Sequence, residues 1–496
     1  MRNKALRRKF SISHKVFLPI AYISFAVIAV IVFVSGLSDL FFLPSIIIAN
    51  IIVIFNCVRA QRRTRYGTFA SLSALAPLFF YLCHFLYQTA FQLGFVEYNE
   101  YVIFNFHLYR EATVLALAGL FALMAGIYFS EWLYSNSIRI PCKKDQSYDD
   151  VKFHKVAVIS SIIFFLILLG EIFRIGFADF AASGYARSEL TEKFSRILTN
   201  AQRFFMYSIF AAFASLPRKK WKRGIILPGI LALLFFMLLS VYGYRGHIGV
   251  FLLTCYCVFA IRIHPLPLKI LTVFFTAMII SWSVILAGRS IAISERDYSS
   301  IISRATTTDS IIDTAVRTPG MMITMVTRTI NLYPHIFPYL WGKSYLNGIY
   351  FLIPNLSLEK KRSSTLYRFD LAMSAYYFGS VFRSIRGVGM GATPLAEAYA
   401  NFGILGLSLL FLGGWFVGRT ELISVSSGNC LLLAFLGISS YTILWSMRND
   451  FLTLPRGIIY GYLFLKLLSF SAACCSNIRV RTTQVSRKIV AQRDYS

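Results

Sequence analysis

Apolar runs long enough to cross a membrane recur along the whole chain, and no other feature constrains the fold as strongly. Each run is roughly 18 to 22 residues, enough to cross about 30 Å of hydrocarbon as a helix. About twelve are legible, near residues 16–36, 40–58, 68–90, 111–131, 156–173, 203–217, 225–243, 247–262, 270–287, 396–418, 429–447 and 457–475. The expected fold is therefore all-α: a polytopic integral membrane protein of about twelve transmembrane helices, a single helical domain over residues 1–496. The first run is too long, and too soon followed by a second, to be a cleaved signal peptide. Composition agrees, since a chain that is 57% hydrophobic and 15% charged is too apolar for an ordinary soluble domain.

A net charge of +28 invites a nucleic-acid reading, and the distribution of the charge rejects it. Basic clusters lie in the N-terminal segment (Arg2 to Lys15), after the second run (Arg59, Arg62, Arg63, Arg65), after the sixth (Arg218 to Arg223) and in the tail (Arg479 to Arg493). If the spans alternate, every cluster falls on one side, which is the positive-inside pattern. Both termini are then cytoplasmic, and the charge suits an anionic lipid leaflet. The eight cysteines lie in apolar runs or on that same side, so no disulfide is expected.

Two outward segments interrupt the short loops, at 174–203 and 288–393. In the larger, Ile301, Ile302, Ala305, Ile312, Ala315 and Val316 recur at helical spacing until Pro319-Gly320. A second apolar piece runs from Met321 to Leu332 and stops at Tyr333-Pro334-His335. Both read as short helices lying on the membrane surface or capping the bundle. The loop carries about twelve Lys or Arg against about six Asp or Glu, and long outward loops escape the positive-inside rule. The excess suits either a basic surface resting on headgroups or an anionic substrate on the outer face.

Several residues point to that substrate. Tyr242-Gly-Tyr-Arg-Gly-His247 joins two apolar runs with almost no loop, which puts Arg245 at the outer edge of the hydrocarbon. An arginine stays charged and offers a planar fork of donors suited to a phosphate or diphosphate. Arg289 and Arg448 end apolar runs on the same side, and Arg187, Arg383 and Arg386 are candidates in the outward loops. Glu397 enters the tenth run after Thr393-Pro394, which reads as a helix N-cap followed by proline at the first helical position. A capping box would want the acid at Ala396, one place earlier. A desolvated carboxylate suits a general base. Asn401, one turn on, shares its face and would orient the base or a sugar hydroxyl. Tyr399 and His335 are further substrate-binding candidates, His247 also lies outside, and His107 is ambiguous. Gly403, Gly406, Gly413, Gly414 and Gly418 suit close helix packing. No outward cluster has metal-site spacing, and no phosphate-binding loop suggests a nucleotide donor, so neither metal nor cofactor is expected.

The Tyr-Arg-Gly turn at 244–246, the long outward loop, Gly342-Lys-Ser-Tyr345 followed by Ile353-Pro354, and Leu395-Ala-Glu-Ala-Tyr-Ala-Asn-Phe-Gly403 together resemble bacterial O-antigen polymerases of the Wzy type. The resemblance runs in order from roughly residue 156 to the end, and the first four runs match only in hydropathy. It implies a donor glycan on undecaprenyl diphosphate, a lipid-linked repeat unit as acceptor, and glycosyl transfer at the periplasmic face of the bacterial inner membrane. It also implies a chain-length regulator of the polysaccharide co-polymerase type as partner. The related O-antigen ligases look similar but have a histidine near the helix after the large loop, where this chain has Thr393 and Glu397. A lipid-linked oligosaccharide flippase is the remaining alternative. It should show two related halves and no large one-sided loop.

Overall fold

The computed structural model describes residues 2–63, 70–97, 105–134, 148–176, 196–242, 245–289, 320–350, 392–449 and 453–493, with isolated positions between them. The described residues form helices: α1 (Arg2–Val34), α2 (Ser38–Arg63), α3 (Leu72–His84), α4 (Leu86–Gln92), α5 (Phe106–Tyr134), α6 (Tyr148–Ile175), α7 (Arg196–Ala214), α8 (Ile226–Tyr242), α9 (Arg245–Arg262) and α10 (Leu268–Arg289). They continue with α11 (Ile323–Leu332), α12 (Lys343–Tyr350), α13 (Pro394–Phe402), α14 (Leu407–Ser427), α15 (Cys430–Ser446) and α16 (Thr453–Arg493).

A helix lies under each predicted apolar run, and the helices differ in length and continuity. Among the described residues six segments are long and apolar enough to cross a membrane, or eight if two bent pairs each count once. One bent pair is α3 with α4, which turn by 55° at Phe85. The other is α8 with the short turn before it, bent by 45°. The apolar stretches of α9 and α15 are shorter. α7 begins at Arg196, so helix extends into the outward segment expected at 174–203.

α5 is the centre of the bundle. Ala112 through Tyr128 are all buried, as a helix apolar on every side requires. Its closest partner is α14, and glycines permit the approach. A Cβ on Gly126 would overlap the Phe411 carbonyl, one on Gly414 the Leu123 carbonyl, and one on Gly418 the Ser130 hydroxyl. Such small-residue seams let membrane helices pack backbone to backbone. Gly413, expected to share this role, faces open space. Outer helices expose apolar side chains instead, among them Leu40, Ile51, Phe173, Leu467 and Phe470, as contact with lipid demands.

Of the two placements expected for Met321 to Leu332, on the membrane surface or capping the bundle, α11 does not take the first. Every residue of α11 except Asn331 is buried, and the helix is inserted beside α5 and α13. Its polar residues tolerate this because Thr327 and Thr329 donate to the carbonyls of Ile323 (3.0 Å) and Met325 (2.6 Å). Arg328 is buried with them.

Candidate functional site

Chain direction brings the starts of α2, α5, α7, α9, α13 and α16 to one end of the bundle, with the ends of α4 and α15 and the short helices α11 and α12. Almost all the predicted site residues that are described lie here.

α13 is the organising element. Thr393 is its N-cap and accepts from the Ala396 amide at 3.0 Å, with Pro394 at the first position, as the local sequence requires. Gly403 ends it at φ +59°, where a side chain would also strike the Tyr339 hydroxyl. Glu397 is 1% exposed, and both carboxylate oxygens are engaged. Oε1 accepts from the Ser344 hydroxyl at 2.5 Å, and Oε2 accepts from the Phe451 amide at 2.6 Å. Asn401 does lie on the same face: its Nδ2 donates to Ser344 Oγ (2.8 Å) and to the Glu397 carbonyl (2.7 Å), while its Oδ1 accepts from the Gly342 amide (3.0 Å). Tyr345 follows Ser344 and packs edge-on against Phe451 at 4.7 Å. Burial, reinforced by the Glu397 charge, pushes its hydroxyl well above the ordinary phenol range.

This network ties three pieces of chain together: α13, the first turn of α12, and Phe451, which leads into α16. The first turn of α16 carries Arg456. Its guanidinium lies over the Tyr460 ring at 5.3 Å and within electrostatic range of Arg203 from α7. Both arginines are partly buried. Neither has an Asp or Glu partner among the described residues, and the buried Nε of Arg456 donates to no group there. The surroundings are fixed by tyrosines. Tyr207 donates to the Gly457 carbonyl (3.0 Å) and Tyr460 to the Leu352 carbonyl (2.7 Å). Two cations within electrostatic range of each other, with no Asp or Glu partner among the described residues, suit an anion.

The expected arginines are distributed around this end. Arg448 lies just past α15, half-buried and near Cys83 of α3. Arg245 opens α9, and His247, two residues on, stacks on Trp445 of α15 at 3.6 Å and hydrogen-bonds Tyr441. Arg289 ends α10. The side chains of Arg245 and Arg289, and the whole of Arg187, Arg383 and Arg386, lie outside the described residues.

Tyr399 and His335 are not beside Glu397. Tyr399 points to the other side of α13, where it shares a hydrogen bond with Tyr339 and lies in range of Glu111. His335 is exposed and in range of the same Glu111. There the ambiguous His107 finds its place: its Nε2 is 3.2 Å from Glu111 Oε1, and its Nδ1 is 3.6 Å from Asp39, which also pairs with Arg110 at 3.0 Å.

Sequence reasoning missed Arg203, Arg456, Ser344 and Glu111. Arg456-Gly457 did carry a signal, because it repeats the Arg-Gly pair that singled out Arg245. A Cβ on Gly457 would press on Thr442 of α15, so the glycine lets α16 approach.

The model of one protein family, described as O-antigen polysaccharide polymerase Wzy, matches residues 16–475. No curated protein and no solved structure matches the chain.

Proposed function

Because the chain belongs to the O-antigen polysaccharide polymerase Wzy family, we propose that it polymerises lipid-linked oligosaccharide repeat units by glycosyl transfer at the periplasmic face of the inner membrane. The donor is a growing glycan on undecaprenyl diphosphate, and the acceptor is one lipid-linked repeat unit. A hydroxyl oxygen of the acceptor attacks the donor's anomeric carbon, and the bond from that carbon to the diphosphate oxygen breaks. The hydroxyl proton passes to a base, and the lipid diphosphate departs with the electron pair. Both termini face the cytoplasm in this reading, and a chain-length regulator works alongside.

The observation that carries it is the Arg203–Arg456 pair without a carboxylate partner among the described residues. Guanidinium groups fixed before reaction stabilise charge that develops on the leaving diphosphate, and they lose little to reorganisation. Arg448, Arg245 and Arg289 would widen the same positive field at this end, with Arg187, Arg383 and Arg386 joining from the loops. Glu397 takes a different part from the base its sequence context suggested. With both oxygens occupied by Ser344 and Phe451, it acts as the residue that positions α12 and the start of α16. Asn401 completes that network.

The test is complementation of a polymerase-null host that makes the matching repeat unit. Wild type restores long lipopolysaccharide ladders. Arg203→Ala and Arg456→Ala reach the membrane in normal amount and leave only core carrying a single repeat. Full ladders from both variants would remove the pair from the reaction, and absent ladders from wild type would remove the polymerase reading itself.

A further inference from the structure

Trp341 adopts a backbone conformation that its residue type avoids. Its φ is +48°, and among the described residues no other non-glycine residue has positive φ. Left-handed backbone is uncommon for a bulky residue and persists only where its surroundings impose it. Here α13 imposes it: the Leu340 and Trp341 amides donate to the Ala400 and Asn401 carbonyls (2.9 and 3.0 Å), and Gly342 donates to the Asn401 side chain. Those bonds fasten the backbone, yet the residue remains 69% exposed. An aromatic ring that merely rests among lipid headgroups needs no such fastening. A ring held ready for a ligand does.

The rings continue inward from Trp341. Tyr339 meets it edge to face at 6.3 Å, and Tyr399 meets Tyr339 in the same manner at 6.2 Å. Beyond Tyr399 come the Glu111 carboxylate and the His107 imidazole, the first partly exposed and the second largely so. Flat apolar faces beside hydrogen-bonding groups that both donate and accept match a sugar ring, which has C–H faces and a hydroxyl rim.

We propose that Trp341, Tyr339, Glu111 and His107 form a saccharide-binding subsite for the glycan substrate, on the side of α13 opposite Glu397. The proposal rests on the polymerase reading and names the part of the substrate held there: the oligosaccharide, not the diphosphate. Trp341 stacks on a sugar face, and the Glu111–His107 pair takes hydroxyl hydrogen bonds.

Binding of the one-repeat oligosaccharide, released from the host polysaccharide by mild acid, is measured with full-length protein in nanodiscs. Trp341→Ala weakens it about tenfold, the scale of one aromatic contact, and Trp341→Phe weakens it less. Glu111→Gln also loses affinity. Trp341→Gly separates a ligand role from a structural one, because glycine relieves the backbone: its melting temperature stays at or above that of wild type while binding still falls. Wild-type affinity in Trp341→Ala or Trp341→Gly overturns the subsite, and so does an absence of oligosaccharide binding by wild type. The polymerase reading is judged separately by wild-type ladders, so ladders present with Trp341→Ala affinity unchanged sink the subsite alone.

Discussion

Two regions of the bundle treat charge in opposite ways. In one, ions are closed against each other. Arg262 donates to Asp150 at 2.9 Å and to the Leu216 carbonyl at 3.1 Å, and Arg59 meets Glu131 at 3.0 Å. Glu421 from α14 accepts from the Ser73 amide at 2.9 Å in the first turn of α3. In the other, Arg203 and Arg456 lie within electrostatic range of each other with no Asp or Glu partner among the described residues. Charges paired within the chain hold helices in place. Cations without an acid partner among the described residues suit the binding of an anion, since a fold gains nothing from two like charges in proximity.

The largest expected effect tests whether that contrast is real. Arg262→Ala removes the buried cation from a partly exposed Asp150 carboxylate, and breaking a fully buried pair costs about 3–5 kcal/mol, an upper bound here. Thermal unfolding in detergent should show the loss, with membrane abundance falling and ladders disappearing because the protein does. Arg456→Ala should abolish ladders at unchanged stability. Equal destabilisation by the two substitutions would erase the distinction between the regions.

Glu397 lies in the binding region but is bonded like a residue of the other. Glu397→Ala leaves the Ser344 hydroxyl and the Phe451 amide without their acceptor, at about 1–3 kcal/mol for each group left buried and unsatisfied. Glu397→Gln keeps one carbonyl acceptor and sets an NH2 against the remaining donor, so an intermediate loss is expected. Melting temperature should fall in the order Gln then Ala, and ladder length should follow it. A Gln variant of full stability that makes no polymer would instead restore Glu397 to the role of base.

Local features were legible in the sequence, and contacts between distant segments were not. The Thr393-Pro394 start and the shared face of Glu397 and Asn401 follow from helix geometry within ten residues, and both stand in the structure. Ser344 and Phe451 are 53 and 54 residues from Glu397, and nothing in a single chain announces such pairings. Gly413 and Gly414 show how fine the limit is. They are neighbours in sequence, but about 100° of helical phase puts Gly414 against α5 and Gly413 in open space. Hydropathy located a helix under every apolar run. It could not show that α3 breaks at Phe85, because the residues on both sides of the break are apolar.

The smallest effect compares how each region finishes a helix. α3 has Ser71 at its N-cap with no bond from that side chain, and a carboxylate from another helix, Glu421, serves its first turn. α13 supplies its own cap, Thr393, whose hydroxyl accepts from Ala396. Thr393→Ala removes one local bond and should cost about 1 kcal/mol, a small fall in melting temperature. Because the Glu397 network still fastens α13 to α12 and Phe451, ladders should persist, slightly shortened. If Thr393→Ala abolishes polymer at normal abundance, the hydroxyl itself meets substrate, and the binding region reaches further along α13 than the arginines alone mark out.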